Sequence, residues 1–226
     1  MRDGGFTDRA QAGRELARRL ESMPRRGRIV VLALPRGGVP VGAEVARALG
    51  APLDLLLVRK IGAPWQPELA VAAVVDGTPP QTVRDEETCA LTGVDPAYIE
   101  ASVERELGEI ARRRCLYLRD RAPANLDGAT VIVVDDGIAT GTTVRAALKA
   151  LRLRRPRRLV LAVPVAPADT LADLRGEVDE IVCLEQPQPF FAIGNHYADF
   201  HQVGDDEVIA ALDAAASAQP GTPRGP

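Results

Sequence analysis

The chain has 226 residues, 46% of them hydrophobic, and a formal net charge of −3. That is enough apolar material for one large core, and the near-balanced charge excludes a general electrostatic pull toward nucleic acid or an anionic membrane. No apolar run reaches membrane-span length and the N-terminus lacks a signal-peptide core. Cys89, Cys115 and Cys183 match neither zinc-ligand spacing nor a disulfide framework, so a cytoplasmic protein is expected.

In chain order, Thr7 is placed to cap a first helix whose apolar side includes Leu16, Ala17 and Leu20. RIVVLAL (28–34) reads as a buried strand. PVGAEVARALG (40–50) reads as a helix opened by Pro40 and closed by Gly50. LDLLLVR (53–59) is the second strand. The middle then breaks the rhythm: ELAVAAVV (68–75) reads as a strand or part of a lid. Residues 97–121 read as a long helix with Val103, Leu107 and Ile110 on one face and Arg105 at pairing distance from Glu109. Strand–helix alternation resumes with TVIVV (130–134), a helix at 142–153, RLVLAVPV (158–165), a short helix at 169–174, and EIVCLE (180–185). Val-, Ile- and Leu-rich runs separated by helices predict an α/β fold, a Rossmann-like twisted parallel sheet covered on both faces. The expected organisation is one domain over residues 1–216, with 61–127 as an inserted flexible loop and helical excursion. Residues 217–226 have nothing to bury, and a disordered tail is expected there.

Parallel sheets place their sites at the carboxyl ends of strands. Three segments are expected there: PRGGVP (35–40), RKIGAP (59–64) and DDGIATGTT (135–143). The third is the most informative. Thr140, Gly141, Thr142 and Thr143 open a helix, where free N–H groups and hydroxyls suit a phosphate monoester. Gly137, Ile138 and Ala139 lead into that loop. Asp135 and Asp136 end an apolar strand, and paired carboxylates there call for partners such as vicinal sugar hydroxyls or Mg²⁺. The competing reading is an ordinary strand-to-helix turn with Asp136 as the cap; it accounts for one aspartate and not for the pair. No Lys precedes the Ser/Thr position, which excludes a triphosphatase P-loop, and LPRGGVPVG lacks the dinucleotide-binding glycine spacing.

The stretch VIVVDDGIATGTT closely resembles the donor-binding signature of type I phosphoribosyltransferases: four apolar residues, two acids, then Thr-Gly-x-Thr. The resemblance runs from about Phe6 to His201 and, with the blocks LPRGGVPVG and VRKIGAP and an aromatic C-terminal segment, is to a little-characterised bacterial branch of that family. The resemblance implies a donor, 5-phosphoribosyl 1-pyrophosphate, and Mg²⁺ as cofactor. The loop Thr140–Thr143 would hold the 5′-phosphate, and Asp135 and Asp136 the ribose hydroxyls, directly or through the metal. In such enzymes the loop after the first strand, here Arg36, Gly37 and Gly38, holds pyrophosphate, often through a strained or cis peptide. Arg59 and Lys60 match a basic pair that contacts pyrophosphate. Arg36, Lys60, Asp135 and Asp136 are therefore the candidate catalytic set, and a homodimer is expected from the same resemblance.

The acceptor is less legible. Relatives that use 6-oxopurines carry an acid in the phosphate loop where this chain has Ala139, which argues against simple hypoxanthine or guanine salvage. The segment PQPFFAIGNHYADF (187–200) concentrates three of the four phenylalanines. Phe190, Phe191 and Tyr197 are candidates for an acceptor wall against a nucleobase-like acceptor; the alternative is that these rings pack on the sheet edge. His196 and His201 read either as general bases or as surface residues. Trp65 reads as lid or subunit contact, Cys115 and Cys183 as small apolar fillers, and the basic run 151–158 as a solvated helix end rather than a nucleic-acid patch. Two functions of different class follow: transfer of phosphoribose to a nitrogenous base, or a regulatory protein that binds the donor or a nucleotide without transfer.

Overall fold

The structure, a computed structural model, describes residues 5–24, 27–77, 79–119 and 121–217. A five-stranded parallel sheet has the order β2-β1-β6-β7-β8: β1 is Ile29–Ala33, β2 Leu53–Leu55, β6 Thr130–Val134, β7 Arg158–Val165 and β8 Glu180–Glu185. The reason lies in the strand sequences. Val30, Leu32, Val131, Val133, Leu159 and Leu161 face one core with α5 (Thr142–Arg152). Val31, Ile132, Val160 and Ala162 face a second with α1 (Arg9–Glu21) and α2 (Gly38–Leu49). Both alternating sets are apolar because both faces are covered.

The helix ends follow local chemistry. Asp8, not Thr7, caps α1: its carboxylate accepts the Gln11 N–H at 2.6 Å. Leu16, Ala17 and Leu20 are buried as expected. The α2 helix begins at Gly38, two residues before Pro40, and ends at the left-handed Gly50.

The expected strand over 53–59 is two elements. The parallel strand stops after Leu55, and Val58–Ala63 (β3) turns away to pair antiparallel with β4 (Gln66–Val75), which also pairs with β5 (Gln81–Arg84). RKIGAP is therefore strand and hairpin rather than a loop at the parallel sheet's end. Leu55, Leu56 and Leu57 are all buried, so hydrophobicity carries no mark of the change of sheet. After α3 (Glu86–Thr92), the 23-residue α4 (Pro96–Leu118) confirms the predicted long helix. Glu109 pairs with Arg112 and Arg113 rather than Arg105, which reaches Glu106. Beyond β7 come a short helix, α6 (Ala168–Leu174), and then β8.

A C-terminal helix, α7 (Asp205–Ser217), completes the fold. Its Val208 and Leu212 join a cluster with Leu55, Ile99 and Ile110. The acidic first turn and apolar spacing could have announced it. Ser217, expected in the tail, is its last residue; 218–226 lie outside the described residues. Cys115 is exposed on α4 and is not a core filler, whereas Cys183 is half-buried on β8. No helix among the described residues is long and apolar enough to cross a membrane.

Candidate active site

The carboxyl ends of β1 and β6 lie side by side, joined by Leu34 N–H donating to Val134 O at 2.9 Å. The loops that follow touch. The Pro35–Arg36 peptide is cis, and Gly37 sits so close to Asp136 that a Cβ there would fall 2.0 Å from its Oδ2. Only glycine allows that approach. PRGG and DDGIATGTT thus lie against each other at the ends of neighbouring strands.

The two aspartates are held differently. Asp136 is buried, and its Oδ2 accepts Arg9 Nε at 2.7 Å. Arg9 comes from the first turn of α1. Its Nη1 donates to His201 O at 2.8 Å, and its guanidinium carbon lies 3.9 Å from the Phe200 ring centroid. The Tyr197 hydroxyl donates to the main-chain oxygen of Asp136 at 2.5 Å. Asp135 uses Oδ1 to accept the N–H of Asp136 at 2.9 Å, and it lines a cavity of about 150 Å³. Burial, then the neighbouring Asp136, push Asp135 well above the usual carboxylate range. Burial also raises Asp136, and its bond to Arg9 opposes the rise. The helix-cap alternative for Asp136 fails, because Gly141 occupies the cap of α5.

The threonine loop is braced from below. Ile138 is buried, its N–H donating to Val165 O at 2.9 Å. Gly137 packs under Ile193. Thr170 Oγ1 donates to Ala139 O at 2.8 Å, and Gly141 is left-handed at φ +72. Thr140 and Thr142 remain exposed, and Thr143 is half-buried at the Asp135 cavity. Gly137 and Ile138 therefore shape the loop, while 140–143 present its donors.

Pro35, Arg59, Ile110 and Arg113 line the same cavity. Arg59 lines it, but Lys60 does not. Neighbours on a strand point to opposite faces, and Lys60 faces a separate cavity of about 380 Å³ with Arg84, Thr142 and Arg145. Arg36 is half-buried, its Nη1 3.6 Å from Asp205 Oδ1. Tyr117 donates to the same oxygen at 2.6 Å; burial and that bond push its hydroxyl up to about 12.

The expected acceptor wall divides. Tyr197 is buried against Phe6 and Phe200 and acts as a brace. Phe190 stacks on His196 with centroids 5.7 Å apart, and Phe191 is 78% exposed. His201 is exposed between Asp199 and Glu207. Neither histidine lines the Asp135 cavity. Trp65 is exposed in the turn between β3 and β4. Arg152 and Arg158 of the basic run are paired with Asp179 and Glu180.

Arg9 and Arg113 were not marked by the sequence. Arg9 lies far from the aspartates in the chain, and Arg113 is one of three consecutive arginines with no local sign of which one turns inward.

The parallel sheet carries an acid pair and a hydroxyl-rich helix start after β6 and a glycine-containing loop after the neighbouring β1. The model of the phosphoribosyl transferase domain matches residues 7–199, and the chain belongs to that family. It is 46% identical over 210 residues to Rv0571c of Mycobacterium tuberculosis, a protein assigned provisionally as a phosphoribosyl transferase. That match takes in 93% of this chain and 47% of the other, so the chain spans about half the length of the curated relatives it matches. The crystal structure of TT1426 from Thermus thermophilus superposes with a TM-score of 0.81 at 41% identity, covering 92% of this chain and 97% of that one.

Proposed function

We propose that the domain transfers phosphoribose from 5-phosphoribosyl 1-pyrophosphate to a nitrogenous base and releases pyrophosphate. The observation that carries this reading is that Asp135, Thr143 and Arg59 line one cavity, with the Pro35–Gly38 loop packed against the two aspartates. The acid and the threonine suit ribose hydroxyls and a 5′-phosphate, and the arginine suits a departing anion. Displacement at an anomeric carbon develops positive charge on the sugar ring. Asp135, partly exposed at the cavity, is placed to stabilise that charge, and Arg36 and Arg59 to neutralise the leaving group. Asp136, locked to Arg9, positions the pair and keeps the loop in register.

Mg²⁺ belongs to the same reading. Among the described residues no group of three His, Cys, Asp or Glu is placed to hold a metal, so a resident site does not fit. A metal that arrives with the substrate does fit, because Asp135 Oδ2 has no protein partner among the described residues. Asp135 would supply a carboxylate oxygen, and the ion would offset charge on the diphosphate.

The test is to incubate the purified protein with donor and Mg²⁺ against nucleobases and orotate and to measure pyrophosphate release. Acceptor-dependent release, abolished by Asp135→Asn, is expected. Donor binding without release from any acceptor would favour a regulatory role. No donor binding would overturn the proposal.

A further inference from the structure

The long helix of the inserted region, α4, runs past the cations Arg59 and Arg113 and the acid that faces Arg36. Glu106, Ile110, Arg113 and Tyr117 follow the i, i+4, i+7, i+11 spacing and share one helical stripe. Glu106 accepts Arg59 Nε at 2.8 Å. Ile110 and Arg113 line the cavity that holds Asp135 and Thr143. Tyr117 bonds the Asp205 carboxylate that also faces Arg36.

Arg59 and Arg113 are arranged alike. Arg113 Nε donates to Glu109 at 2.7 Å, as Arg59 Nε does to Glu106. Among the described residues each guanidinium is engaged through Nε alone, which leaves the terminal nitrogens for another partner. Their side chains are 37% and 31% exposed. A guanidinium anchored at one nitrogen and open at two others is prepared for bidentate binding of an oxyanion. The adjacent arginines of α4 are used otherwise: Arg112 projects to solvent on Glu109, and Arg114 is tied to Asp76.

We infer that Arg113 is a further ligand-binding residue of this site and forms, with Arg59, a guanidinium clamp for the diphosphate of the donor. The inference rests on the proposed donor reading. It assigns the inserted helix a direct part in substrate binding. Glu106 and Glu109 engage the two cations through Nε and leave the terminal nitrogens to the phosphate oxygens.

Calorimetry with inorganic pyrophosphate and Mg²⁺, and separately with ribose 5-phosphate, tests it in the full chain. Arg113→Gln should weaken pyrophosphate binding at least tenfold and leave ribose 5-phosphate within about twofold, the latter because the 5′-phosphate loop is untouched. Arg113→Lys should recover part of the loss, and Arg112→Gln should bind as wild type. Glu109→Gln frees Arg113 from its helical neighbour and should not weaken pyrophosphate. If Arg113→Gln binds pyrophosphate as wild type does, while wild type binds ribose 5-phosphate, the clamp is wrong and the donor reading stands. A loss in Glu109→Gln equal to that in Arg113→Gln would also overturn the clamp, since it would assign the effect to helix structure. Wild-type protein that binds neither probe would remove the donor reading and the clamp together.

Discussion

The acidic and cationic walls of the site are built on opposite principles. On the acidic wall, Asp136, Arg9 and Tyr197 are buried and bonded to one another and to main chain. On the cationic wall the arginines themselves are the open partners: Arg36, Arg59 and Arg113 are half-exposed, and their carboxylates run from the largely buried Glu106 to the half-exposed Asp205. Buried ion pairs are costly to break, whereas exposed ones contribute little. The acidic wall is therefore part of the folded core, and the cationic wall keeps guanidinium nitrogens open for ligand oxygens.

Four measurements would break or sharpen that contrast. The largest effect is expected from Arg9→Met, which strands Asp136 in the interior. Urea unfolding should show a loss of about 3–5 kcal/mol, the range for removing one member of a buried pair. A loss below that of an ordinary surface change would mean that water reaches Asp136 and that the acidic wall is not core.

Thr143→Val should come next. It removes a hydroxyl at the cavity without changing charge, so ribose 5-phosphate affinity should fall by about 1–2 kcal/mol by calorimetry. Unchanged affinity in folded protein would move the phosphate away from this loop. On the cationic wall, Asp205→Asn, at the half-exposed pair with Arg36, should shift stability by less than about 1 kcal/mol. A shift as large as that of Arg9→Met would erase the distinction between the walls.

The smallest effect concerns pH. The side chain of His201 bonds first to Glu207 and then to Asp199, and both raise its pKa above the ordinary imidazole value. A raised folded-state pKa means that the stabilisation is fully present below the unfolded value of about 6.5. It is then lost as pH rises through the folded value. NMR titration should show His201 ionising above His201 in the urea-unfolded chain, and Glu207→Gln should lower it. A midpoint at or below the unfolded one would show that these surface contacts do not persist in solution.

Much of the site was legible because its parts are contiguous. The apolar strand, the acid pair and the threonine loop occupy residues 130–143, and backbone geometry alone carries a strand's end into a helix's start. Continuous apolar runs and helical spacing likewise read out the parallel sheet, α2 and α4. Contacts between distant segments were not legible. The partner of Asp136 is 127 positions away in the chain, and the aromatic segment's tyrosine braces a main-chain carbonyl instead of facing a base. The pair Arg59 and Lys60 looks uniform in sequence, yet the strand pleat sends them to separate cavities. Sequence by itself determined the local chemistry, since propensity, capping and charge act over a few residues. Tertiary structure alone decided which cation meets which acid, because side-chain pairing across the fold depends on where packed helices and a second sheet bring the chain back.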